Sequence, residues 1–141
     1  MENLETIFNL SWELRTCYKD KKHLWNENEP YIGQCAISAL IVNDLLGADI
    51  MKVKVGKESH YYNILDGEII DYTKFQYKSG SVNYADGKLV FRDELLSDSD
   101  TRHRYYILAK NFKYNSQIFT EESNKSMKRL HEFMQSERID D

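Results

Sequence analysis

From Gln34 to Leu46 the chain is apolar around most of its circumference, through Ala36, Ile37, Ala39, Leu40, Ile41, Val42, Leu45 and Leu46. A helix with so little polar surface belongs in the middle of a domain. Gly47 stands where a left-handed C-cap residue would end it. The period then changes. Over 49–55, Met51, Val53 and Val55 alternate with Lys52 and Lys54, the pattern of a half-buried strand. A central helix that hands over to a strand within two residues points to an α+β fold. The helix is expected to pack on a small antiparallel sheet, with further helices supplied by both ends of the chain.

The sheet is predicted to continue at 60–65 and 68–73. These two runs flank Asp66-Gly67, and Asp-Gly between apolar runs is the strongest short hairpin signal. A fourth strand is expected at 87–91, with 76–86 a loop. Helical spacing of Leu4, Ile7, Phe8, Trp12, Leu14 and Tyr18 predicts a first helix over 3–18, with Cys17 inside it as a packing residue. The polar run 19–29 reads as a surface loop, and Pro30 biases Glu29 toward extended backbone. Two more helices are predicted, about 101–112 and 120–137. The second carries only the thin stripe Met127, Leu130 and Met134 and is expected to lie at the periphery. With 141 residues and no repeat or linker, residues 1–141 are expected to form one domain.

Net charge is −4, which argues against nucleic acid or an anionic membrane as partner. No stretch approaches 18 apolar residues, so no membrane span is expected. The start, Met1-Glu2-Asn3, is acidic and not followed by an apolar leader segment. Two cysteines, Cys17 and Cys35, are too few for a disulfide scaffold, so a cytoplasmic chain with reduced thiols is expected. No metal-ligand spacing, P-loop or GxGxxG appears, so neither a metal nor a cofactor is expected.

The residue types that carry chemistry fall in a definite order. Cys35 opens the central helix, where unpaired N–H groups carry partial positive charge. That field stabilises a thiolate, and the same N–H groups can receive an oxyanion. A nucleophile also needs a base, and the base an orienter. His60 starts the first hairpin strand and Asp71 ends the second. If Asp66-Gly67 is a two-residue turn, Asp71 falls opposite Tyr62, on the same face as His60. The diagonal separation is about 7–8 Å between backbones, within reach of a side-chain hydrogen bond. A slip of one residue would put the two groups on opposite faces.

Cysteine at a helix start, histidine on one strand and aspartate on the next resembles the papain-like superfamily in its transglutaminase-like and NlpC/P60-like branches. "GQC" is similar to the Gly-x-Cys of transglutaminase-like domains, and "HYYNILDGEIIDYT" to their His-aromatic and Asp-x-Thr hairpin. More closely, "GQCAISALIVNDLLG", "HYYNILDGEIIDYTKFQ" and "TRHRYYIL" together resemble the YunG-like family of small uncharacterised bacterial proteins. That resemblance covers about 25–110 and leaves 113–141 outside it. The YunG-like resemblance brings no known activity; the papain-like one implies a cysteine-hydrolase core, with Cys35 as nucleophile, His60 as base and then acid, and Asp71 as orienter. Gln34, Tyr61, Tyr72 and Gln76 are the candidates for the oxyanion site and substrate cleft, with backbone N–H groups at Gln34 and Cys35 as part of the oxyanion hole.

The implied activity is that of a thiol hydrolase or acyltransferase working on an amide or ester of a small or peptide-like substrate. The alternative is a domain that keeps the fold and a polar cleft only to bind a partner. Each residue also has a plainer reading. A free cysteine is often a small buried hydrophobe. A histidine at a strand start is often just a satisfied polar group, and an aspartate there a turn or cap residue. Asn63 is read as structural, and His23, His103 and His131 as solvated. Arg102 or Arg104 is a lesser candidate for touching an acidic substrate group. The tyrosines 61, 62, 72, 77 and 84 read either as hairpin packing or as walls of an aromatic cleft.

Overall fold

A computed structural model describes residues 3–139. Helices α1 (Leu4–Ser11) and α2 (Cys35–Leu46) are followed by strands β1 (Asp49–Val55), β2 (Glu58–Leu65) and β3 (Glu68–Ile70). After a looped segment come β4 (Lys88–Val90), the short helix α3 (Arg92–Leu96) and the long helix α4 (Ser99–Ile139). The strands form one sheet in the order β3-β2-β1-β4, antiparallel throughout. The fold is thus α+β with a small antiparallel sheet.

Helix α2 is the hub. Its Ile37, Ile41 and Val42 pack with Leu4, Phe8 and Trp12 from the α1 segment and with Leu108 and Phe112 of α4. Its Ala39 and Leu40 pack with Ile50, Val90 and Leu95. The helix has apolar neighbours on both sides because its sequence leaves no polar face to turn outward. Gly47 ends it at φ 68°, the left-handed cap its position implied.

The Asp66-Gly67 turn has positive φ at both residues, 52° and 81°, as a tight hairpin turn requires. It fixes the register Leu65↔Glu68, Ile64↔Ile69 and Asn63↔Ile70, which is the predicted one. Strand β3 is shorter than 68–73. The Asp71 carboxylate accepts the Thr73 N–H through Oδ1 (3.3 Å), a local turn that takes the chain out of the sheet.

Three helical expectations need correcting. The first helix ends at Ser11, not at 18, so Cys17 is not in a helix. The Glu13 N–H donates to Thr16 Oγ1 (3.0 Å), and such side-chain bonds compete with helix continuation. Trp12 turns its ring to α2, where Nε1 donates to Ser38 Oγ (2.8 Å). The predicted helices 101–112 and 120–137 are one helix, α4; the stretch between them, KYNSQIF, holds no glycine or proline to break it. Helix α3 was not expected at all. Residues 120–136 of α4 are exposed, so this distal part does lie at the periphery.

Candidate functional site

His60 is delivered by β2 and Asp71 by the residue after β3, one position beyond the last paired residue. Their side chains meet at 2.7 Å, Nε2 to Oδ2, with side-chain exposures of 0% and 2%. The carboxylate is saturated with donors. Oδ2 also accepts the Tyr84 O–H (2.8 Å), and Oδ1 takes both the N–H and the O–H of Thr73. With Nε2–H donating to Asp71, the other ring nitrogen, Nδ1, is left free of that bond. Nδ1 is buried and has no hydrogen-bond partner.

Burial pulls the imidazole pKa down. The Asp71 hydrogen bond and the neighbouring Cys35 push it up by more, to about 9. An imidazole raised above its unfolded value of about 6.5 contributes stability that is whole below that pH. The contribution is lost as pH rises through about 9. It amounts to roughly 3 kcal/mol for a shift of this size. Urea unfolding should therefore show stability falling between pH 6.5 and 9 in the wild type, and much less in His60→Gln. Parallel curves for the two proteins would refute the assignment.

Cys35 opens α2 and is partly exposed. As the first helical residue it has no intrahelical acceptor for its N–H, and neither do Ala36 and Ile37. Gln34 is corrected on both counts. Its backbone N–H donates to the Tyr31 carbonyl (3.2 Å). Its side chain turns inward, with Oε1 accepting from Thr16 Oγ1 (2.8 Å) and Nε2 donating to the Glu13 carbonyl (3.2 Å). It braces the approach to Cys35 and faces no cleft.

A cavity of about 490 Å³ opens on Cys35, lined among others by Tyr61, Gln76, Tyr77, Lys21 and Arg104. Tyr61 and Gln76, two of the expected cleft residues, thus line the same cavity as Cys35. Tyr72 does not line it; its half-buried ring packs against the core, 5.3 Å from that of Phe8. Tyr77 meets the His60 ring edge-on at 5.0 Å. Asn63 donates to the Ala39 carbonyl (3.0 Å) and ties β2 to α2, the structural role expected of it. Arg104 is buried and braced by Asp100 and the Thr16 carbonyl, whereas Arg102 and His103 are exposed.

Cys17 is fully buried, and burial pushes its thiol up to about 11. It packs on Gly33, two residues before Cys35. A Cβ at Gly33 would stand 2.5 Å from the Cys17 sulfur, and φ there is +74°, a conformation glycine adopts freely. Sequence reasoning gave Tyr84 no role at Asp71; nothing in its local pattern distinguishes it from the other tyrosines nearby.

Among the described residues, His60 Nδ1 and Gln76 Nε2 are the buried side-chain polar atoms with no hydrogen-bond partner. Each such deficit costs about 1–3 kcal/mol. Among the same residues, no His, Cys, Asp and Glu side chains gather as a metal site, and no helix is long and apolar enough to cross a membrane.

No solved structure matches the chain. A curated relative, "Uncharacterized protein YunG" of Bacillus subtilis (strain 168), is 33% identical over 79 residues. That match covers 56% of this chain and 64% of the relative, so the chain spans less than two thirds of the relative's length. The family model described as "YunG protein" matches residues 1–117, taking in every residue of the site and stopping within α4. On that match, the chain belongs to the YunG family.

Proposed function

We propose that this chain is a cysteine-dependent hydrolase or acyltransferase with a papain-like arrangement of Cys35, His60 and Asp71, acting on an amide or ester of a small or peptide-like substrate. The observation that carries the reading is the 2.7 Å bond from His60 to Asp71. It spends one ring nitrogen and leaves the other, buried and unpartnered, for the thiol of Cys35, which lines the cavity.

A charged imidazole carries N–H on both nitrogens, one for Asp71 and one for sulfur. Cys35 Sγ attacks the carbonyl carbon, and the C=O pair moves onto oxygen. The free N–H groups at the start of α2 face that developing charge. The tetrahedral intermediate collapses as His60 gives its Nδ1 proton to the departing amine or alcohol. The thioester left on Cys35 is cleaved by water or an amine that His60 deprotonates. Asp71 holds the ring orientation and balances its charge throughout.

The test is thiol labelling with iodoacetamide and peptide mapping between pH 5 and 9. Cys35 should be alkylated more than about tenfold faster than Cys17 at pH 7, since the thiolate is the reacting form. Slow and equal labelling of the two would favour a binding module that keeps the fold without the chemistry.

A further inference from the structure

We infer that Gln76 is a catalytic residue whose Nε2 amide donates a hydrogen bond to the substrate carbonyl oxygen, completing the oxyanion site of Cys35. The inference rests on the acyl-transfer reading above. The orientation of the amide is fixed by its partner. The Gly33 N–H donates to Gln76 Oε1 at 3.3 Å, and since an N–H demands an acceptor, the oxygen must face Gly33. Nε2 therefore points away from that bond, and it is buried with no partner.

Gln76 and Cys35 line the same cavity, and Gly33 is two residues before Cys35. One short segment places both groups. The Asp71 carboxylate binds Thr73, and the Thr73 carbonyl accepts the Gln76 N–H (3.1 Å). The turn that holds Asp71 at His60 thus also places Gln76 on the wall of the cavity that Cys35 lines. The two unpartnered buried polar atoms then have one explanation. A bound acyl group supplies an oxygen to Nε2 and a leaving group to Nδ1. When sulfur bonds the carbonyl carbon, the electron pair displaced onto oxygen is met by Nε2–H and the helix N–H groups. When the leaving group departs with the His60 proton, the C=O bond re-forms.

The experiment compares two reagents on the full chain, with modification at Cys35 read by mass spectrometry. p-Nitrophenyl acetate acylates sulfur through an oxyanion; iodoethane alkylates it with no carbonyl oxygen involved. Gln76→Glu keeps an acceptor for the Gly33 N–H but removes the donor. It should slow acetylation about 10²–10³-fold, the usual cost of one such donor, and change ethylation less than about twofold. Gln76→Met, which has no polar nitrogen or oxygen, should do the same and guards against an effect of the added charge. Acetylation at the wild-type rate in both variants overturns the assignment. So does an equal slowing of both reagents, which would make Gln76 a brace for the Gly33 turn only. If the wild type is ethylated but never acetylated at Cys35, the acyl-transfer reading falls and takes this assignment with it, a result distinct from the other two.

Discussion

His60→Gln will lower the rate at which p-nitrophenyl acetate acetylates Cys35 by about 10²–10⁴-fold, the range general acid–base groups supply. The ring is fully buried, so bulk solvent has little access to take over its proton transfer. The substitution will also destabilise the fold. Asp71, 2% exposed at its side chain, loses the charged imidazole that balances it, and breaking a buried pair costs about 3–5 kcal/mol. The double variant His60→Gln/Asp71→Asn, which removes the stranded charge, should recover part of that stability and none of the acetylation rate. A folded His60→Gln protein that acetylates within threefold of the wild type would remove His60 from the chemistry.

Gly87→Ala will cost about 3 kcal/mol in urea unfolding, at the upper end for overpacking. Backbone strain is not the cause, since Gly87 has φ −63°. A Cβ there would lie 1.8 Å from the Tyr62 hydroxyl and 2.9 Å from Cζ. Tyr62 cannot easily retreat. It is 1% exposed, its ring stacks near His60, and its hydroxyl donates to the Tyr84 carbonyl at 2.9 Å. The clash therefore reaches Tyr84, whose own hydroxyl is bonded to Asp71, so Cys35 reactivity should fall with stability. Adding Tyr62→Phe removes the oxygen that the new methyl meets, and a large favourable coupling between the two changes is expected. Gly87→Ala unfolding within 0.5 kcal/mol of the wild type would be inconsistent with this packing.

The site was more legible in the sequence than the helices were. Asp66-Gly67 constrains its turn so tightly that the register followed from two residues, and with it the approach of His60 to Asp71. The place of Cys35 at the start of a helix followed from the apolar run after it and from Gly47. Gln34 was misread because adjacency to a nucleophile says nothing about which way a side chain turns. Thr16, far away in sequence, draws it inward. The first helix was overextended because apolar spacing continues past Ser11 while the backbone does not. Trp12 and Thr16 are apolar or small enough to fit either conformation, and bonds to Ser38 and Glu13 decide between them. Two helices were expected where there is one, because the apolar spacing lapses over 113–119, although nothing in that stretch stops a helix. The tyrosines could not be sorted, since Tyr61, Tyr72 and Tyr84 differ in what they meet and not in local pattern.

The unbroken course of α4 has a consequence for the whole particle. At about 1.5 Å per residue its 41 residues extend roughly 60 Å, while a compact chain of this length has a radius of gyration near 14 Å. The total accessible area, 9369 Å², exceeds the roughly 7600 Å² typical of a monomer of its mass. The protein is a small body with a shaft: it drags more in solution than its mass implies and tumbles faster about the shaft than end over end.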